Sequence, residues 1–186
     1  MPVYFNYGDR DAVAAVYDST DGGRVWDHRA TVMDGRDPAT LLEKGPTEPA
    51  LVHTGSGRLV MLMRTDPPDG HFWQSISEDG GHTWRPPWRT DIYAHNPPNF
   101  LRLRDGRLLL SYGYRRRTDP GGIRAVVSED DGETWGAPIV LRQDFPNWDN
   151  GYASSVEMAG TTIFTTYYYQ MFSRYYIGGT FWELPG

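Results

Sequence analysis

The sequence predicts an all-β protein built from repeated antiparallel sheets, and three observations support this. Aromatic residues make up 14% of the 186 residues, and 21 glycines and 14 prolines supply many turn formers, a composition typical of short strands joined by tight turns. One turn-like motif occurs three times. Between its copies lie apolar runs broken at a glycine, which predict β-hairpins. No segment has the pattern of a three-turn amphipathic helix, although residues 38–44 could form a single helical turn.

The repeated motif is Ser-x-Asp-x-Gly-x-Thr-Trp, and its copies begin at Ser19, Ser77 and Ser128, with Val25 as the one departure. The serines are 58 and 51 residues apart, which fits one four-stranded propeller blade per repeat. The Asp side chain can accept hydrogen bonds from backbone amides, and Gly permits positive φ. We expect the Trp to cover the core of the blade. The motif is therefore interpreted as a structural turn and its Asp residues as non-catalytic.

The hairpins complete the predicted blades. They span residues 48–64, 99–115 and 152–169, and each is followed by a third strand. The chain is thus predicted to be a single partial β-propeller domain of about three and a half blades. Its expected segments are the outer half of a blade with a linker (1–45), two blades (46–95 and 96–145) and a last blade without the motif (146–186). Since a ring needs about four to eight blades to close, we expect self-association through the open edge.

Composition excludes several function classes. The formal net charge of −6 argues against a nucleic-acid or anionic-membrane partner, and no apolar run reaches the roughly 18 residues of a membrane span. The absence of cysteine excludes disulfides and thiol nucleophiles. The five histidines show no ligand spacing, so neither a metal nor a cofactor is expected. The N-terminus lacks a signal peptide, which predicts a cytoplasmic protein if Met1 is the true N-terminus.

Propeller geometry indicates where a functional site would lie. The first strand of a blade is innermost, so its first residues and the end of the second strand meet at the central mouth. Those positions are occupied by Glu48, His95, Asn96 and Tyr152 and by Arg64, Arg115 and Tyr168. Guanidinium groups bind carboxylates through paired hydrogen bonds, and a phenol beside a carboxylate can act as a nucleophile. Strand parity places Arg115 and Arg117 on the same face as Arg64, unlike Arg116.

These residues and motifs resemble the sialidase (neuraminidase) family with its BNR Asp-box repeats, and the resemblance covers the C-terminal part of a six-bladed propeller. In that family a Glu at the start of a strand is followed sixteen residues later by an arginine that binds the substrate carboxylate, and Glu48 and Arg64 have this spacing. The family's nucleophile lies in a Tyr-Ser-Ser-Leu segment. Residues 151–156, Gly-Tyr-Ala-Ser-Ser-Val, are similar to it.

The resemblance implies an exo-acting glycoside hydrolase that removes a terminal α-linked sialic-acid-like sugar with retention, and hence a carbohydrate partner. Tyr152 would be the nucleophile and Glu48 its base. Arg64 and Arg115 would bind the substrate, with Arg117 as the weaker alternative to Arg115.

Two parts of the family site have no match in this chain, namely the first arginine and the acid/base Asp. Asp34 and Asp37 lie just one blade before Glu48, which is the wrong place for that Asp. Two alternatives therefore stay open. One is a non-catalytic propeller module that binds glycan or protein, and the other is a sialidase-like hydrolase of a different sugar.

Overall fold

The computed structural model describes residues 1–7, 12–37, 45–66, 68–116 and 120–185. The regular elements in these residues are β-strands arranged in four antiparallel sheets, which confirms the predicted all-β class. The single helical turn predicted at 38–44 lies outside the described residues. No helix capable of crossing a membrane occurs in the part of the chain that the structure describes. The chain divides into two compact units, Met1–Tyr93 and Ala94–Gly186.

The first unit contains a three-stranded and a four-stranded sheet, each with its strands in sequence order. The three-stranded sheet consists of β1 (Pro2–Asn6), β2 (Ala12–Asp18) and β3 (Asp27–Asp34). The four-stranded sheet consists of β4 (Thr47–His53), β5 (Leu59–Arg64), β6 (His71–Ser77) and β7 (Trp88–Tyr93). The sequence predicted only the outer half of a blade here, which corresponds to the two strands β2 and β3 on either side of the first motif. Strand β1 was not predicted, because it precedes the repeated pattern.

The second unit has the same kinds of sheet in the opposite order along the chain. Its four-stranded sheet consists of β8 (Asn99–Arg102), β9 (Leu108–Tyr114), β10 (Gly121–Ser128) and β11 (Ile139–Phe145). Its three-stranded sheet consists of β12 (Asn150–Glu157), β13 (Thr162–Met171) and β14 (Arg174–Glu183). The three predicted hairpins are confirmed as the antiparallel pairs β4–β5, β8–β9 and β12–β13.

The repeated motif forms the turns between β2 and β3, β6 and β7, and β10 and β11. In the second copy, Asp79 accepts hydrogen bonds from the backbone amides of His82 and Thr83 at 3.0 and 2.9 Å and from the Thr83 hydroxyl at 2.6 Å. The hydroxyl of Ser77 donates to Asp79 and accepts from the amide of Gly81. These bonds hold the pKa of Asp79 well below its usual range, chiefly through the Thr83 hydroxyl. The predicted role of the Asp as a turn acceptor is confirmed.

Each unit buries apolar side chains from both of its sheets. In the first unit Met61 and Met63 of β5 pack with Ala14 and Val16 of β2, and Trp84 of the second motif packs against this cluster. In the second unit one cluster joins β9 and β10 to β13 through Leu109, Ala125 and Ile163. Strand β9 is buried along its whole length, which explains why Leu108–Tyr114 does not alternate between apolar and polar residues.

Candidate functional site

Three non-glycine residues adopt a left-handed backbone conformation at, or just before, the first strand of a sheet. They are Glu48 with φ 44°, His95 with φ 52° and Tyr152 with φ 50°. A residue with a side chain incurs a cost of order 1–3 kcal/mol in such a conformation, and these conformations concentrate at functional sites. All three were predicted from the sequence to lie at the mouth of the propeller.

The pairing of β4 with β5 shows that Glu48 lies in an irregular part of its strand. Thr47 lies opposite Arg64 and Ala50 lies opposite Leu62, so β4 contains one residue more than β5 between these pairs. The extra residue forms a β-bulge, and Glu48 is its first residue. Bulges change the direction of a side chain and are common beside active sites.

Tyr152 occupies the same position in the last sheet. Gly151 lies opposite Tyr168 and Ser154 lies opposite Thr166, so β12 also contains one residue more than β13 between these pairs. Tyr152 is the first residue of this bulge, as Glu48 is in β4.

His95 is the corresponding residue of the sheet that begins with β8. The backbone amide of Arg115 donates to the carbonyl of Ala94 at 3.1 Å, and Asn99 lies opposite Ser111. Four residues, 95–98, therefore face three residues, 112–114. His95 follows the paired Ala94 as Glu48 follows Thr47.

The residue across from each bulge is also repeated. The residue that pairs with the one before each bulge is Arg64 at the end of β5, Arg115 directly after β9, and Tyr168 in β13. Each of three sheets thus has two polar residues at equivalent positions of its first strand pair. These are Glu48 with Arg64, His95 with Arg115, and Tyr152 with Tyr168.

In the first unit, Arg64 bridges two carboxylates. Its Nη1 donates to Glu48 at 2.5 Å and its Nη2 donates to Asp66 at 2.9 Å. Only 15% of the Arg64 side chain is exposed, and its buried Nε has no hydrogen-bond partner among the described residues. Burial would lower the pKa of Arg64, but Glu48 and Asp66 together raise it above the usual value.

In the second unit, Arg115 is held inside a polar network with 8% of its side chain exposed. Its Nε donates to the carbonyl of Asn150 at 2.6 Å. Its Nη2 contacts the hydroxyl of Tyr168 and lies 3.4 Å from the carboxylate of Asp149. The ring of Trp148 lies 5.8 Å from the guanidinium carbon, within the range of a cation–π contact.

Asp149 is the centre of this network. It accepts hydrogen bonds from the hydroxyls of Tyr168 at 2.6 Å and Tyr175 at 2.8 Å. Burial alone would raise its pKa, but the two phenols and Arg115 lower it below the usual value. Burial and the hydrogen bond to Asp149 raise the pKa of Tyr168. Asp149 is therefore an anion at neutral pH, and Tyr168 is a neutral phenol.

The position of Tyr152 is determined by Asn96. The side-chain oxygen of Asn96 accepts from the Tyr152 amide at 2.9 Å, and its nitrogen donates to the Asn150 carbonyl at 2.9 Å. Asn96 fills the space that a Cβ on Gly113 or Gly151 would need, with closest approaches of 2.7 and 2.2 Å. Tyr152 is 51% exposed, and its ring centroid lies 5.9 Å from that of Tyr168. The backbone of Tyr152 is thus held by Asn96, although the residue as a whole is exposed.

The structure distributes the predicted site residues over both units. Glu48 and Arg64 are in direct contact in the first unit, and Tyr152 and Arg115 are linked through Tyr168 in the second. Arg117, the alternative to Arg115, lies outside the described residues. In the described ranges no three His, Asp or Glu side chains are grouped as ligands for a metal ion.

Sequence reasoning missed three members of the site. Asp66 pairs with Arg64, Asp149 pairs with Arg115, and the hydroxyl of Tyr175 donates to Asp149. Asp66 and Asp149 lie two and three residues along the chain from Arg64 and Tyr152. The polar residues Asp149 and Asn150, shortly before the predicted tyrosine, were a signal for the second of these.

Comparison with known proteins identifies what this architecture resembles. Residues 1–165 match the family described as BNR repeat-like domain. A sialidase from Micromonospora viridifaciens is 31% identical over 145 residues, which cover 74% of this chain and 22% of that protein.

Solved structures agree with the family match. A protein of unknown function from Dyadobacter fermentans superposes with a TM-score of 0.81 and 29% identity, and covers 94% of this chain. The NanB sialidase from Streptococcus pneumoniae superposes with a TM-score of 0.66 and 19% identity, over 96% of this chain. These likenesses confirm the predicted sialidase-type propeller fold. The chain spans 46% and 28% of these two proteins, consistent with a partial propeller.

Proposed function

Because the chain belongs to the BNR repeat-like domain family, we propose that it forms part of an exo-acting glycoside hydrolase of the sialidase type. Its substrate would be a terminal α-linked sugar, cleaved with retention of configuration. Tyr152 is the proposed nucleophile and Glu48 its base, and Arg64 and Arg115 are proposed to bind the substrate.

The observation that carries this proposal is the repeated bulge. Glu48 and Tyr152 are the first residues of equivalent bulges, and both have a left-handed backbone. Because strained conformations concentrate at functional sites, the left-handed backbone of these two residues supports a functional role for their side chains. The 51% exposure of Tyr152 supports a role in contact with a ligand.

In the proposed chemistry Glu48 accepts the phenolic proton and the oxygen of Tyr152 attacks the anomeric carbon, while the glycosidic C–O bond breaks and the aglycone leaves with its oxygen, taking a proton from solvent. Water then attacks the anomeric carbon of the glycosyl-tyrosine and gives a proton to solvent, and Glu48 returns its proton to the departing Tyr152 oxygen. Two inversions give net retention. A tyrosine nucleophile is an exception to the usual pair of carboxylates. It suits an anionic sugar, because a neutral phenol does not repel the carboxylate of the substrate.

An acidic sugar is the first candidate substrate, since the two arginines can bind a carboxylate through charge-assisted hydrogen bonds. A neutral sugar is the second candidate, and one observation favours it. Arg64 already pairs with two carboxylates, and Arg115 lies beside Asp149. An incoming carboxylate would have to compete with these groups, whereas the hydroxyls of a neutral sugar would not.

Hydrolysis of 4-methylumbelliferyl glycosides tests both candidates. The full-length gene product that contains this chain should release the fluorophore from an α-sialoside or from a neutral α-glycoside, and Glu48→Gln should lower kcat. Arg64→Ala should weaken binding of an acidic sugar by about 1.5–3 kcal/mol, the range for hydrogen bonds to charged groups. Arg58→Ala is the matched control and should behave like the wild type, because Arg58 directly precedes β5 and pairs with Glu78 of the second motif.

Two results would overturn the hydrolase proposal. One is saturable binding of these glycosides with no turnover, which would indicate the alternative of a binding module. The other is an unchanged kcat in Glu48→Gln.

A further inference from the structure

We propose that His95 is a sugar-contacting residue of this site, although it matches no residue that the family resemblance assigned. The inference rests on the proposed function, because it assumes that Glu48 and Tyr152 belong to a sugar site. It adds a third side chain, an imidazole, which can donate a hydrogen bond to a sugar hydroxyl or accept one from it.

The first argument is positional. Counted from the strand pairing, His95 corresponds to Glu48 in one neighbouring sheet along the chain and to Tyr152 in the other. All three follow a paired residue, all three stand in a segment with one extra residue, and all three have φ between 44° and 52°. A bulge that directs Glu48 and Tyr152 towards a ligand would direct His95 in the same way.

The second argument is the choice of residue. Glycine adopts a backbone with positive φ without a steric cost. It does so at Gly57 in the turn between β4 and β5 and at Gly106 in the turn between β8 and β9. At position 95 the chain has a histidine instead. The backbone of His95 is therefore strained although the residue is only half-buried, and we take this as a sign that the imidazole has a function.

The third argument is proximity within the second unit. His95 is followed directly by Asn96, whose side chain binds the backbone amide of Tyr152 at 2.9 Å and the carbonyl of Asn150 at 2.9 Å. One residue and one hydrogen bond thus separate the backbone of His95 from that of Tyr152. The carbonyl before His95, that of Ala94, binds the amide of Arg115. In the chain, His95 therefore stands between Ala94, which binds the backbone of Arg115, and Asn96, which binds the backbone of Tyr152.

The test separates the imidazole from the backbone strain. His95→Gly removes both, and His95→Asn removes the imidazole but keeps a residue that tolerates left-handed conformations. Asp131→Gly is the matched control. Asp131 has φ 56°, lies in the third repeated motif, and is a glycine in the other two copies.

We expect all three variants to be folded, with His95→Gly and Asp131→Gly at least as stable as the wild type. On the 4-methylumbelliferyl glycoside that the wild type hydrolyses fastest, kcat/KM should fall about three- to ten-fold in His95→Asn and His95→Gly, as for loss of one hydrogen bond. The KM or the dissociation constant of the free sugar should rise. In Asp131→Gly both should stay unchanged.

The outcomes distinguish this inference from the proposed function. If the wild type is active but both His95 variants keep its kcat/KM and sugar affinity, the role of His95 is refuted and the hydrolase proposal stands. If the wild type binds a free sugar without turnover and His95→Asn weakens that binding, the hydrolase proposal fails and His95 is still a sugar-contacting residue. If the wild type neither binds nor hydrolyses any sugar of the panel, both proposals are overturned.

Discussion

Asn96 binds the backbone amide of Tyr152 through its side-chain oxygen at 2.9 Å, and this contact determines how the last sheet begins. Asn96 is completely buried. Its amide nitrogen binds the Asn150 carbonyl that also accepts from Arg115. A single side chain therefore holds the backbone of the proposed nucleophile next to the guanidinium of a proposed substrate-binding residue.

Replacing the buried Asn96 with Ala should destabilise the protein by about 2–4 kcal/mol, because it leaves the amide of Tyr152 and the carbonyl of Asn150 without this partner and opens a cavity. Urea unfolding followed by tryptophan fluorescence measures this change. Gly113→Ala should also destabilise, since its Cβ would meet Asn96 and Gly151 at 2.7 Å. Gly136→Ala, whose Cβ would meet no atom closer than 3.4 Å, is the control. Equal stability of Asn96→Ala and the wild type would contradict this account.

The tryptophans of the repeated motif should differ in their contributions to stability. Trp84 packs against the core of the first unit and donates to the Gly81 carbonyl at 3.1 Å. Trp26 makes the equivalent hydrogen bond but is 42% exposed. Trp84→Ala should therefore cost about 2–4 kcal/mol, slightly less than truncation of a fully buried aromatic. Trp26→Ala should cost clearly less. Melting temperatures of the two variants provide the comparison, and equal losses would refute the assignment of Trp84 to the core.

Stability should fall at acidic pH through the motif carboxylates. The hydrogen bonds of Asp79 lower its pKa in the folded protein below the unfolded value of 3.8, and the pKa of Asp21 and Asp130 is lowered in the same direction. Their contribution is fully present above pH 3.8 and is lost as the pH falls through that value towards the folded pKa.

The test of this pH dependence is Asp79→Asn, which keeps a side-chain acceptor but does not titrate. The urea midpoint of the variant should drop less between pH 6 and pH 3 than that of the wild type. Thr83→Ala, which removes the 2.6 Å hydrogen bond from the Thr83 hydroxyl to Asp79, should also flatten the profile. A pH profile identical to that of the wild type in both variants would show that Asp79 does not contribute in this way.

Self-association of the 186-residue chain remains a prediction, and β14 is where we expect it. This strand lies at the edge of its sheet, and its Ile177 and Phe181 side chains are 82% and 67% exposed. An exposed apolar edge strand favours pairing with another chain. Sedimentation velocity should show dimers or larger species, and Ile177→Lys combined with Phe181→Lys should reduce them. A monomer at all concentrations would contradict the prediction.

Much of the fold could be predicted from the sequence, because it repeats. The Ser-x-Asp-x-Gly-x-Thr-Trp motif and the glycine hairpins recur at intervals of 51–58 residues, and each is a local structure with its own turn chemistry. Strand β1 could not be predicted, since it precedes the repeat and is defined by its pairing with β2.

The site was predicted less completely, because its partners come from tertiary contacts. Periodicity placed Glu48, Arg64, Arg115 and Tyr152 at strand ends, and the strand pairing agrees with those positions. Asp66 pairs with Arg64 and Asp149 pairs with Arg115. These pairings depend on the conformation of the loops, which the spacing of residues does not predict. The left-handed backbone at Glu48, His95 and Tyr152 depends on one extra residue in each bulge. Spacing alone does not reveal that residue.

The central claim is that Tyr152 is the nucleophile, and covalent trapping tests it most directly. The full-length gene product is incubated with a fluorinated analogue of its best glycoside substrate, which forms the glycosyl-enzyme but hydrolyses slowly. Peptide mass spectrometry then locates the adduct. We predict one sugar adduct on Tyr152, none in Tyr152→Phe, and a similar melting temperature for both proteins. An adduct on another residue, or full hydrolytic activity in Tyr152→Phe, would contradict the account.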